Sequence, residues 1–355
     1  MTARREFLAA ALAAPLAAAR KPYSLDHAAV VDGVALAHTA QFASGSVDDA
    51  LSQVDKALKG GGSSLDRAVK LHFAMASDDI AAEAAEALKR RYAKRELKPA
   101  VTLVTGALPR AGQTVAIDAV GVTSKARMRD AAVGVLPAGG RTYVSGQSAN
   151  GTIPEATRAT MEKLHQALKH QGLDWKHVVQ VKTFLDPIQD AASVRGMIDG
   201  YFSGPVPQVF VEWTSRGKIE IELIAEAPTA KEAIEYLTPP GETASPVFAR
   251  IARVAHPTTI FVSGLHGATP GDGARQIHDI FATLKNTVGA AGGDLAHLAK
   301  ATYYVGDDTV SRQLNEIRPS YYDPKRPPAA SKAPVRGVGR KGMTITLDMI
   351  AVPAR

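Results

Sequence analysis

The chain has 355 residues, 45% hydrophobic and 22% charged, with 30 glycines, 21 prolines and no cysteine. These proportions exclude a disordered or fibrous chain and suit two or three domains, and the lack of cysteine excludes disulfides, thiolate metal sites and thiol nucleophiles. The net charge is +7, but the 42 Lys and Arg are interspersed with 35 Asp and Glu, which reads as solubility rather than as a surface for polyanions.

The first element is a leader. Arg4 and Arg5 precede Glu6, Phe7 and Leu8 in an R-R-x-F-L pattern, and an Ala/Leu-rich stretch follows to Ala19. Residues 1–20 resemble a twin-arginine (Tat) signal peptide with cleavage near Ala19. Such a leader engages the Tat translocase, which exports folded proteins. It implies the periplasm or the extracellular side. No later run has the roughly 20 apolar residues that span a bilayer, so no membrane span is expected after cleavage.

The remainder repeats one pattern three times. In the first unit, 34–39 reads as a strand and 47–59 as a helix closed by Gly60-Gly61-Gly62. A strand over 68–75, a helix over 79–92 and strands over 101–105 and 114–120 follow. The basic segment 123–130 reads as a solvated linker. In the second unit, 141–147 is a strand ending at Ser145-Gly146. Met161, Leu164 and Leu168 share one face of a helix over 155–171, closed by Gly172. Then come a β-branched strand over 178–185, a helix over 191–202 and strands over 208–213 and 218–225. In the last of these Ile219, Glu220, Ile221 and Glu222 alternate, which buries one face. Residues 229–245 read as a second linker. The third unit has a strand over 259–264, helices over 274–289 and 310–322, and strands over 298–305 and 343–352. Thr39, Ser145 and Ser263 align as equivalent positions. The units are bounded at 25–123, 131–228 and 245–353.

The segments Ser145-Gly146-Gln147, Gly172-Leu173-Asp174, 178–185 and 218–225 closely resemble the Rid family (reactive intermediate deaminases, also YjgF or L-PSP endoribonuclease-like). The third unit shares Phe261-Val262-Ser263-Gly264 and Gly293-Asp294-Leu295; the first matches mainly in element order. The resemblance implies an α+β, chorismate-mutase-like fold. Three tandem domains, each a mixed sheet with two helices on one face, would form an intramolecular pseudo-trimer from a monomeric chain. Ligand clefts would lie at the domain interfaces.

Family deaminases hydrolyse enamines and imines to keto acids and ammonia. The resemblance assigns carboxylate clamping to an Arg on the fifth strand, and positioning of the attacking water to a Glu on the last. Here the Arg position holds Val101, Gln208 and Ala330 or, shifted by one, Ser331, and the Glu position holds Ala116, Glu220 and Thr346. Losing a charge-assisted clamp costs about 1.5–3 kcal/mol, so the standard reaction is not expected unchanged. Glu220 is the candidate catalytic residue. Ser145, Gly146, Gln208, Ser263, Gly264 and the replacement cation Lys332 are the candidate ligand-binding residues. Arg195, Arg216, His38 and His266 are weaker candidates. A second acidic position, Asp118, Glu222 and Asp348, reads as inter-domain salt bridging. No cofactor is implied, and the 10 scattered His suggest no metal site. The absence of a basic stripe interleaved with aromatics argues against nucleic acid. Two readings stay open: a diverged imine or enamine hydrolase acting on an imino or keto acid ligand, and a non-catalytic periplasmic small-molecule binding or scaffold protein.

Overall fold

The computed structural model describes residues 21–354 apart from 216 and 229. Residues 1–20, where the sequence suggests a leader, and Arg216 lie outside the described residues. In chain order the first part comprises β1 (Tyr23–Leu25), β2 (Ala28–Asp32), β3 (Ala35–Thr39), β4 (Phe42–Ser44), α1 (Val47–Gly60), β5 (Ala68–Met75), α2 (Asp79–Tyr92), β6 (Ala100–Thr105) and β7 (Val115–Thr123). The middle comprises β8 (Met128–Arg129), β9 (Val133–Leu136), β10 (Arg141–Ser148), α3 (Ile153–His170), β11 (Val178–Leu185), α4 (Ala191–Asp199), β12 (Gln208–Glu212) and β13 (Ile219–Glu226). The last part comprises β14 (Ile234–Leu237), β15 (Ile251–Val254), β16 (Thr258–Leu265), α5 (Gly273–Ala290), β17 (Gly293–Val305), α6 (Asp308–Ile317), β18 (Ala329–Pro334) and β19 (Ile345–Pro353).

The helices start where side chains satisfy their first N–H groups. Ser46 accepts from Asp49 N, Asp272 from Arg275 N and Asp307 from Val310 N. Thr152 and Glu155 form a capping box on α3. Gly62, Gly172 and Gly292 follow the first helix of each unit with φ of 74, 73 and 82°. This left-handed turn costs glycine least, so one stop signal recurs three times.

The chain forms three sheets with one strand order: β6-β5-β7-β3-β9-β8, β12-β11-β13-β10-β15-β14 and β18-β17-β19-β16-β2-β1. In each, the first two strands pair in parallel and the others shown pair antiparallel. The last two strands of each sheet come from the start of the next unit in the cycle. The chain's own first hairpin, β1–β2, closes the ring by pairing with β16. Ala40, Ser145 and Ser263 donate from backbone N to Ala132, Arg250 and His27 O respectively. The structural counterpart of the two serines is therefore Ala40, one residue beyond Thr39. The segments that read as linkers also do more than connect. Residues 123–130 contain β8, Arg127 pairs with Glu226, and Arg129 donates to Trp175 O and Val178 O at 2.9 and 3.0 Å. Residues 229–245 contain β14.

Alternation along each strand sorts the residues. Ile219, Ile221 and Leu223 pack beneath α3 and α4, and equivalent cores underlie the helix pairs of the other domains. The opposite sheet faces meet in shared cores such as Ala74, Val104, Phe184, Val209, Tyr304 and Val335, contributed by all three domains. The chain thus forms an intramolecular pseudo-trimer. Glu212, 8% exposed, accepts from Ala107 N at 2.7 Å and pairs with Arg336 at 2.5 Å, tying three domains at one carboxylate.

Candidate functional site

The strand registers align the functional columns. Phe184, Ala74 and Tyr304 face Glu220, Ala116 and Thr346 across equivalent strand pairs. Val181, Leu71 and Ala301 face Gln208, Val101 and Ala330. Of the two columns, only Glu220 offers an ionisable group.

Glu220 lies on the inter-domain face of β13, where the second domain meets β18 of the third. It fits because residue 146 is glycine: a Cβ there would come within 2.0 Å of the Glu220 Oε1. Gly146 N donates to Ser331 Oγ across the seam at 3.2 Å. The Ser331 hydroxyl bonds Glu222 Oε2, which also accepts from Lys300 Nζ at 2.7 Å. Burial, and then the Glu222 charge, push the Glu220 carboxyl up to about 7, opposed by Ser331, Lys300 and Lys332. Lys332 is half-buried, donates to Asn315 Oδ1 at 3.2 Å and feels the Glu220 charge; burial and Arg318 lower its pKa. The seam thus holds a carboxyl that changes charge near neutrality and a cation within its field.

The other sequence candidates are dispersed. Ser145 is buried, and its hydroxyl donates to Ala249 O at 2.5 Å and accepts from Ala330 N at 2.7 Å. It stitches the seam rather than facing a ligand. Ser263 does the same at the seam between the third and first domains, accepting from Val101 N at 3.1 Å. Gly264 packs there against Thr102 and Thr346. Gln208 is not in the Glu220 seam. It sits on the helix side of β12, fully buried, with Nε2 donating to Asp199 Oδ1 at 2.8 Å. β12 borders the first domain, where Gln41 N donates to Gln208 O at 3.1 Å, so Gln208 belongs to the other seam. His266 Nε2 lies 2.8 Å from Val338 O, and burial lowers its pKa. His38 is 2% exposed, with burial lowering its pKa to about 4.

The second acidic position does bridge domains. Lys300 pairs with Glu222 at 2.7 Å and Lys70 with Asp348 at 2.9 Å; Asp118 instead meets His72 of its own domain at 3.1 Å. Tyr304 OH joins His72 Nε2 at 3.1 Å and Lys182 Nζ at 2.6 Å, one group from each domain. All of these groups except Tyr304 line a central cavity of about 80 Å³. Among the described residues, no group of three or more His, Asp or Glu is placed to hold a metal ion.

The seam between the first and second domains occupies the position equivalent to the Glu220 seam. It contains a cavity of about 350 Å³ bordered by Gln41 and Arg110 on one side and Arg195 and Phe210 on the other. Arg110 was not singled out from the sequence, because a turn residue carries no periodic signal.

A sequence profile of the family described as Endoribonuclease L-PSP matches residues 130–227 and 247–353, more than half of the chain. The chain belongs to the Rid (YjgF, L-PSP) family. Its similarity to individual Rid-type proteins is spread over single units. A 2-iminobutanoate/2-iminopropanoate deaminase from Rattus norvegicus is 32% identical over 111 residues, which is 30% of this chain and 81% of that protein. The mitochondrial protein mmf2 of Schizosaccharomyces pombe is 33% identical over 104 residues, 25% of this chain and 82% of that protein. A solved YjgF-family structure from Neisseria meningitidis is 22% identical, covering 34% of this chain and 96% of its own, with a TM-score of 0.27. The Rid profile leaves the first domain unmatched, but its sheet has the same strand order as the other two.

Proposed function

We propose that this Rid-family chain is an exported small-molecule hydrolase of the imine or enamine class, acting at the seam that contains Glu220. The observation that carries the reading is the Glu220 carboxyl: inter-domain, opposite Gly146, with a pKa near 7 and Lys332 within its field. A group titrating near the working pH is suited to moving a proton in both directions. In this reading the Glu220 carboxylate takes a proton from water as the water oxygen bonds the carbon of a protonated imine, which gives a neutral carbinolamine. The carboxyl then hands that proton to the amine nitrogen. The regenerated carboxylate takes the hydroxyl proton as C=O forms and the C–N bond breaks, and passes it to the departing ammonia. The products are a keto acid and ammonium, so atoms and charge balance. Lys332 supplies the positive charge for a substrate carboxylate in place of the family Arg.

The similarity to the rat imine deaminase supports the reaction class. The filling of the clamp position by Val101, Gln208 and Ala330 supports the second reading, binding without turnover. The test is hydrolysis of 2-imino acids, generated by an amino-acid oxidase and trapped with semicarbazide. The expected result is faster imine loss with the wild-type chain, and at least a hundredfold lower kcat in Glu220→Gln with KM little changed. No acceleration across several imino acids would contradict this reading and move the weight to binding without turnover or to a different substrate class.

Export rests on the Arg4-Arg5 leader. Residues 1–20 fused to a folded reporter should deliver it across the membrane through the Tat translocase. Replacing both arginines with Lys should hold it inside; export that persists in that variant refutes the proposal.

A further inference from the structure

The seam between the first and second domains differs chemically from the Glu220 seam. At the position of Glu220 it has Ala116, and at the position of Gly146 it has Gln41. Its cavity of about 350 Å³ is bordered by Gln41, Gln53, Arg110, Gln113 and Arg195, with Phe210 as an apolar wall. Among the described residues no Asp or Glu borders it. Arg195 projects from α4 and lies over the Phe210 ring, 5.0 Å from its centroid, which fixes the guanidinium at the cavity wall. Arg110 approaches from the turn between β6 and β7, held by the bond from its own backbone N to Gln113 Oε1 at 3.0 Å. Among the described residues neither guanidinium has a carboxylate partner within 4 Å. Gln41 accepts from Phe210 N through Oε1 at 3.3 Å, while its buried Nε2 has no partner among the described residues.

Both guanidiniums border one cavity: burial lowers the Arg195 pKa, the Asp199 charge at the end of α4 opposes that, and repulsion from Arg110 adds to the lowering. A doubly charged oxyanion relieves that repulsion and suits the planar fork of arginine. The volume falls within the range of small-ligand pockets. We propose that this seam is a binding site for a small doubly charged oxyanion, gripped by Arg110 and Arg195 with the Gln41 amide as a third donor. Neither arginine occupies the fifth-strand clamp position, where Gln208 is turned towards Asp199. With Ala116 in place of an acid, the site binds its ligand without performing acid–base chemistry. One chain thus carries a proton-transfer seam and an anion seam side by side.

The test uses the chain lacking residues 1–20, with malonate and inorganic phosphate as probes and acetate as the singly charged control. Saturable binding of malonate or phosphate by calorimetry, tighter than acetate, is expected. Arg110→Gln and Arg195→Gln should each weaken it about tenfold or more, and Glu220→Gln should leave it unchanged. A response to malonate alone assigns a dicarboxylate, and one to phosphate alone a phosphate ester or free phosphate. Arg110 is exposed and in a turn, so Arg110→Gln stays informative if Arg195→Gln disturbs packing on Phe210. The proposal is overturned if neither dianion binds in the millimolar range, if acetate binds as well as both, if Arg110→Gln binds as wild type, or if Glu220→Gln abolishes binding.

Discussion

Glu220 is held between opposing influences in its seam. Burial and Glu222 favour its neutral form, while Ser331, Lys300 and Lys332 favour the charged one. The folded pKa near 7 stands above the 4.5 usual for the group. The sign follows from linkage: stability tied to the neutral carboxyl is complete below about pH 4.5 and is lost as pH rises through 7. The penalty above pH 7 is on the order of 3 kcal/mol. Glu220→Gln keeps the shape and removes the charge. It should raise thermal stability at pH 8, match wild type at pH 4.5 and flatten the profile between. Melting curves at several pH values check this; a variant less stable than wild type at pH 8 would show that the ionised carboxylate is a net stabiliser. The identity of this residue was legible in the sequence, since strand alternation and the family column both single it out. Its partner was not. Ser331 lies 111 positions away, and the sequence groups Gln208 with Glu220 although the fold sends Gln208 to the helix side.

At the scale of elements, the strands and helices of each domain body follow from the 2- and 3.6-residue periods. The helix over 79–92 and the strands over 68–75 and 178–185 have the bounds read from the sequence. The short leading strands escaped, because β8 and β14 are two and four residues long and carry no measurable period. The choice of partner escaped as well. Only Gly33 and Val34 separate β2 from β3, yet β2 pairs with β16 and β3 with β9. Backbone hydrogen bonds satisfy either pairing, so the decision lies in long-range packing. Ala28 and Val30 sit in the third domain's core with Ile260 and Val262. Removing residues 21–32 should therefore leave the β16 edge open and strip apolar cover from that core. The truncated chain should elute as aggregates or higher oligomers and lose cooperative melting. A monodisperse single chain that melts like the full-length protein would show that the exchange is dispensable.

At the scale of the whole molecule, fusion of three Rid domains allows each seam to evolve alone. The shared structure is symmetric: three sheets of one order, a common core, and charged pairs such as Lys300–Glu222 and Lys70–Asp348 crossing between domains. Neighbouring domains cannot dilute apart, because linkage makes every docking event intramolecular. The three seams differ. One has an acid and a lysine, one has two arginines, and one is closed by Thr346, Gly264 and Thr102. A homotrimer cannot make this distinction, since every substitution recurs three times. The most direct measurement is imine hydrolysis by the wild-type chain and by one variant per seam: Glu220→Gln, Arg195→Gln and Thr346→Val. Turnover lost in Glu220→Gln and retained in the other two is the expected result. Turnover that is absent from wild type, survives in Glu220→Gln, or falls equally in all three variants would contradict a single catalytic seam at Glu220.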